Sequence, residues 1–208
     1  MELNIIESEK SRNALIIGNG VSRKDYDLTN LNDKYTIFAC NAYYRDNPYS
    51  SFDYLVSIDE AISKEIKDSD VPFEKIIQPP YEEQFEHKKY CEIYGTRFRS
   101  NAGMNAMIEA IKKKFETLYI VGFDFLIKGD LALSNMYDGS NCYGPETRAN
   151  ATDNLNRVQY FKWFVQNHLV EYKICYPRIK DLEVFSIPGD NVKGMFVDQL
   201  WKIFIIKF

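Results

Sequence analysis

Ala14-Leu15-Ile16-Ile17-Gly18-Asn19-Gly20-Val21-Ser22 is the stretch whose reading decides the fold. Four apolar residues run into two glycines that flank an asparagine, and a serine follows two positions later. A short apolar run bounded by a turn signal suits a strand buried on both faces of a parallel sheet. Glycine at its carboxyl end lets the backbone turn sharply and approach a ligand. In open α/β sheets, ligands bind beyond the carboxyl ends of strands. Gly18, Asn19, Gly20 and Ser22 are therefore candidates for a nucleotide or phosphate cradle. The stretch is not a Walker loop, because no Gly-Lys-Ser/Thr follows. Nor does it match the dinucleotide fingerprint, whose glycine spacing fails around Lys24. A tight strand-to-loop turn without a ligand has the same pattern.

Working outward, strand and helix signals alternate. Strands are predicted at 14–18, 35–39, 53–58, 75–78, 118–122 and 171–175, with a weaker one around 183–187. Helices are predicted from Ala102 to Phe115 and from Thr152 to His168. Met104, Met107, Ile108, Ile111 and Phe115 form the apolar stripe of the first; Leu155, Val158, Phe161, Phe164 and Val165 form that of the second. The alternation predicts an α/β fold: one Rossmann-like, mostly parallel sheet flanked by helices. Residues 1–208 are read as one nucleotide-binding domain. Residues 79–101 and 126–151 look irregular. The second is long for a connection and follows a strand, so it is read as a lid over the site.

The net charge of −4 argues against a nucleic-acid partner. Cys40, Cys91, Cys142 and Cys175 form no CxxC pair, so neither a zinc site nor a disulfide framework is expected. A cytoplasmic setting follows from the lack of a signal peptide and of a membrane-spanning run. The apolar, lysine-containing stretch 200–208 fits a core strand or an oligomer contact better than a peripheral membrane tail.

Polar residues follow several predicted strands: Asn19, Asn41 after Cys40, Asp59 with Glu60, and Asp124. A parallel sheet brings these positions to one rim. Ser100-Asn101-Ala102-Gly103 opens the first helix, where free amides and the helix dipole can receive an anion. Each position also has a purely structural use. Asn41 can cap a turn, Asp59 can cap a helix over 60–66, and Asp124 can brace a neighbouring loop.

Gly18-Asn19-Gly20-Val21-Ser22, Phe38-Ala39-Cys40-Asn41, and Gly103 followed after a helix by Gly122-Phe123-Asp124-Phe125 occur in a recognisable order. Together they resemble the bacterial lipooligosaccharide sialyltransferases over roughly residues 14–177. That family's pattern is Gly-Asn-Gly-Pro-Ser, Arg-Cys-Asn, Ser-Gly opening a helix, and Gly-Ile-Asp-Phe. The resemblance implies a nucleotide-binding α/β domain with a lid, often a homo-oligomer, that needs no metal or other cofactor. It implies a cytidine-monophosphate (CMP) sialic-acid type donor and transfer to a glycan acceptor with inversion. Asn19 and Asn41 would contact the donor, Asn101 and Gly103 would lie beside it, and Asp59 falls near a donor-contacting position.

One departure concerns the chemistry. The family's catalytic histidine follows a Tyr-Ile-Gly segment, and Pro145 stands at that place in Asn141-Cys142-Tyr143-Gly144-Pro145-Glu146. Proline accepts no proton. Glu146 or another carboxylate is the candidate general base, and Tyr143 matches a family tyrosine that stabilises the leaving phosphate. Two other readings stay open. One is a metal-dependent pterin pyrophosphokinase-like enzyme with Asp59, Glu60 and Asp124 as oxygen ligands. The other is a nucleotide-sugar-binding module without catalysis.

Overall fold

The computed structural model describes residues 12–79 and 85–202. Its described residues build one sheet of seven strands: β1 (Asn13–Ile17), β2 (Thr36–Cys40), β3 (Tyr54–Val56), β4 (Ile76–Ile77), β5 (Thr117–Val121), β6 (Glu171–Tyr176) and β7 (Val192–Phe196). The order is β4-β3-β2-β1-β5-β6-β7, and every pairing is parallel. From β1 the chain winds outward through β2, β3 and β4. It then returns to β5, against the other side of β1, and winds outward the opposite way. That reversal between β1 and β5 is the place where an open α/β sheet leaves a crevice at its carboxyl edge.

The continuous apolar run of β1 is explained by burial on both faces. Ala14 and Ile16 point to one core, and Leu15 and Ile17 to the other. Phe38 of β2 shares the first side, and Ile37 and Ala39 the second. Each fully buried aliphatic side chain contributes about 1.5–3 kcal/mol relative to exposure. The first core is covered by α3 (Ala102–Lys112) and α4 (Ala151–Asn167), and the second by α1 (Glu60–Lys67) together with Leu28, Leu31 and Leu200.

Helix boundaries follow capping chemistry. The Asn101 side chain accepts from the Met104 amide at 2.9 Å and starts α3; Asn150 accepts from the Asp153 amide at 2.8 Å and starts α4. Met104 and Met107 are fully buried core residues. The predicted end of α3 at Phe115 is three residues late, since Lys114 adopts a positive φ of 68°.

Three expectations need correction. The middle of the predicted irregular stretch 79–101 is a helix, α2 (Phe85–Tyr94). Its His87 and Tyr90 pack among Phe98, Tyr160 and Trp163. The predicted strand at 183–187 contributes only an antiparallel bridge from Val184 to Ile127, and the seventh strand runs from Val192 to Phe196. Leu155, assigned to the buried stripe of α4, is 52% exposed.

Of the apolar carboxyl-terminal stretch, Leu200 is buried and Trp201 stacks on Tyr26, while residues 203–208 lie outside the described residues. No helix among the described residues is long and apolar enough to cross a membrane.

Candidate functional site

The carboxyl ends of β1, β2, β3 and β5 border a cleft of about 400 Å³. Gly18, Asn19, Gly20, Asn41, Asp59, Asn101, Gly103, Asp124 and Tyr143 all line it. Nine of the positions selected from sequence therefore converge. Two do not: Ser22 and Glu146 are absent from the lining.

Ser22 is held behind the turn. Its amide donates to Asp124 Oδ2 at 2.9 Å, and its hydroxyl donates to Asp124 Oδ1. Burial pushes the Asp124 pKa up, against the opposing pull of these Ser22 hydrogen bonds and the nearby Arg23 charge. Asp124 thus braces the Gly18–Gly20 turn, the structural use that its position also allowed. Glu146 is exposed and lies in the short turn Pro145–Thr147.

The turns after β1 and β5 are built against each other. The Gly18 amide donates to the Val121 carbonyl at 2.9 Å, and the Gly20 amide to the Gly122 carbonyl at 3.0 Å. A Cβ on Gly18 would strike the Gly122 carbonyl oxygen, and one on Gly20 would strike the Asp124 carboxylate. Gly122 itself sits at φ +71°, a conformation that L side chains rarely adopt. These glycines are required first by the packing of one strand end on another.

Arg23 lies beneath the turn at 4% exposure. Its Nε donates to the Gly18 carbonyl at 2.7 Å, its Nη2 reaches Asn19 Oδ1 and the Tyr137 hydroxyl at 3.4 Å, and its guanidinium lies over the Tyr43 ring. With Oδ1 turned to Arg23, Asn19 Nδ2 faces the Tyr143 hydroxyl at 3.5 Å. Burial raises the Tyr143 pKa well above its usual value. The phenol therefore keeps its proton and can donate it to an anion.

Two polar atoms of lining residues are buried without a partner among the described residues: Asn41 Oδ1 and Asn101 Nδ2. Asn41 also holds a positive φ of 49°. A buried polar group left unsatisfied costs about 1–3 kcal/mol. Both atoms are covered in this structure, although their residues line the cleft.

The loop 126–151 supplies much of the remaining wall, including Ser134, Asp138 and Tyr143. It is tied down at several places. The Met136 amide donates to the Asn19 carbonyl at 2.9 Å. Further on, Arg45 grips Glu65 of α1 through Nε and Nη2, both at 2.7 Å, and donates to Ser140 Oγ and the Asn141 carbonyl at 2.9 Å. Tyr44 and Asn141 also donate to Glu65.

Burial opposes the Glu65 charge, but the hydrogen bonds from Tyr44, Arg45 and Asn141 outweigh it, so the pKa falls below its ordinary 4.5. A lowered acid pKa adds stability that is present above the unfolded value and lost as pH falls through the folded one. Melting curves between pH 6 and pH 3, about the range where carboxylates titrate, should show Glu65→Gln losing this part of the acid sensitivity. Identical pH profiles for both proteins would refute it.

Sequence reasoning missed the arginines. Arg99, Arg148 and Arg157 line the cleft. Arg99 lies 3.8 Å from Asp59, and Arg148 lies 3.6 Å from Asp138. Arginine is ordinarily a surface residue, and nothing in its spacing here separates these three from the rest. Among the described residues, no three His, Cys, Asp or Glu side chains gather as a metal-holding group.

No family model matches the chain, and no curated protein matches it. Among solved structures, it is similar to the monofunctional alpha-2,3-sialyltransferase Cst-I from Campylobacter jejuni. The identity is 18% and the TM-score 0.55, covering 92% of this chain and 90% of that chain. The likeness establishes a sialyltransferase-like fold across nearly the whole chain, as a Rossmann-like sheet flanked by helices.

Proposed function

We propose that this chain is a glycosyltransferase-like enzyme that takes its sugar from a nucleotide-activated donor of the CMP-sialic-acid type. It transfers that sugar with inversion to a hydroxyl of a glycan acceptor. The observation that carries the reading is the convergence of Asn19, Asn41, Asn101 and Tyr143 on one cleft at the strand-order reversal. The fold shared with a protein described as a sialyltransferase supports it.

In this reading Asn19, Asn41 and the start of α3 hold the donor nucleotide and its phosphate. Tyr143 donates its phenol hydrogen to the departing phosphate, whose negative charge grows as the glycosidic bond breaks. The acceptor oxygen attacks the anomeric carbon from the opposite face. A carboxylate takes its proton. We assign that role to Asp59, which lines the cleft, in preference to Glu146, which does not. The loop 126–151 acts as the lid and excludes water while the sugar is transferred.

A ligand that binds only the native state raises the melting temperature by mass action. Purified protein should therefore melt higher with CMP, with or without magnesium, and uridine, guanosine and adenosine monophosphates should have little effect. Asn41→Ala should weaken CMP binding about tenfold, the loss of one hydrogen bond to a buried group. A shift seen only with another nucleotide and magnesium would favour the pyrophosphokinase-like reading, and no shift would overturn donor binding. A CMP shift without transfer to any of a panel of glycans would indicate the non-catalytic module.

A further inference from the structure

Arg157 lies on α4, about two turns past its amino-terminal cap. Its Nε donates to the Arg99 carbonyl at 3.3 Å, and its Nη1 to Asn154 Oδ1 at 3.1 Å. Asn154 is itself buried and fixed, donating through Nδ2 to the Ala132 carbonyl at 2.6 Å. Two contacts thus orient the guanidinium at the cleft wall. Its Nη2 has no hydrogen-bond partner among the described residues, and Arg157 forms no ion pair there.

The surroundings do not suit a free positive charge. Desolvation lowers the Arg157 pKa from its usual value; the Asp153 carboxylate counters this, the Arg99 charge adds to it, and Asp59 counters it more weakly. The other arginines of the wall already have carboxylates beside them. A partly buried guanidinium without a close anion is costly, and a neutral side chain in its place would avoid that cost. Arg157 lines the cleft. A planar guanidinium with free N–H groups matches the two oxygens of a carboxylate, sulfate or phosphate. Arg157 is held by α4 and by the Arg99 carbonyl, and neither contact is with a strand end.

We propose that Arg157 is an oxyanion-binding residue of this cleft, receiving an acidic group carried by a substrate sugar. The assignment rests on the proposed transferase reading and extends it. The acidic group belongs either to the donor sugar, as its carboxylate, or to the acceptor, as a carboxylate or sulfate.

Calorimetric titration of the full chain with CMP, with CMP-sialic acid, and, at saturating CMP, with neutral and sulfated lactose distinguishes the sources. Arg157→Gln should keep CMP affinity within about twofold and weaken one acidic ligand at least tenfold, the scale of a charge-assisted hydrogen bond. Loss on CMP-sialic acid alone assigns the donor carboxylate; loss on sulfated lactose alone assigns the acceptor. Arg157→Lys, which keeps the charge but not the fork, should recover part of the loss.

Equal affinities in wild type and Arg157→Gln for both acidic ligands would overturn the proposal, as would an equal loss on CMP itself. If CMP fails to bind wild type, the donor reading falls separately. Free sialic acid and sulfated lactose then still test Arg157, because a subsite for either must bind more weakly in Arg157→Gln. The ligand-free variant should melt at or above the wild-type temperature. A fall of more than about 5 °C would make Arg157 a structural residue and overturn the assignment.

Discussion

Asp59→Asn is expected to lower the transfer rate by about 10²–10⁴-fold, the usual contribution of a positioned general base. Affinity for CMP should change little, because in the proposed mechanism the carboxylate receives the acceptor proton and does not hold the nucleotide. The structure gives two reasons to place the effect here. Asp59 is the residue before α1, yet its side chain makes no cap hydrogen bond, so the carboxylate is not spent on the helix. It lines the cleft beside Arg99, whose guanidinium lies 3.8 Å away. The Asp59 side chain is 49% exposed, so the substitution should leave the fold intact. The matching control is Glu146→Gln, expected to retain activity within about twofold because that residue is exposed and outside the lining. Rates are to be compared on protein that binds CMP normally. An active Asp59→Asn beside an inactive Glu146→Gln would reverse the assignment.

Gly18→Ala is expected to damage the fold itself. The added methyl would meet the Gly122 carbonyl oxygen, which is backbone and cannot swing aside. Gly122 is in turn fixed by its positive φ and by accepting from the Gly20 amide at 3.0 Å. Overpacking of this kind costs about 1–3 kcal/mol or more. For a chain of this size that is a fall of about 2–12 °C in melting temperature. CMP stabilisation should fall too, because Asn19 moves with the turn. Gly194→Ala is the contrast. A Cβ there meets only the Tyr176 ring, at an ordinary 3.5 Å, so stability should change by less than about 0.5 kcal/mol. Equal melting temperatures for wild type and Gly18→Ala would show that the two turns can separate.

The interior strands were legible because each carries a run of apolar side chains buried on both faces, and such runs need no partner to be recognised. Ile16-Ile17, Ile37-Phe38 and Ile120-Val121 are of this kind. β7 was not legible for the opposite reason. It is an edge strand with Lys193 and Gly194 at its centre, no residue of it is fully buried, and it is held by pairing with β6. α2 was hidden by its charge: His87, Lys88 and Lys89 blur the apolar stripe that Tyr90 and its ring neighbours complete only in three dimensions.

At the site, the strand-end rule brought Asn19, Asn41, Asp59 and Asp124 to one rim. It could not show that Asp124 turns its carboxylate onto Ser22, since an aspartate that braces and one that binds look alike in sequence. Nor could it find Arg157, which reaches the cleft from α4 and not from a strand end.

The Gly18–Gly122 contact also bears on how the protein could be re-engineered. The turns after β1 and β5 constrain one another through hydrogen bonds and a contact without room for a methyl group. Neither can be remodelled alone, so a library placed there would consist largely of unfolded variants. Another part of the wall carries exposed Arg148 and partly buried Arg157, neither of which belongs to the buried core of the sheet. Altered sugar preference should therefore be selected from that wall, with the turns left as the fixed jaw against which new contacts are screened.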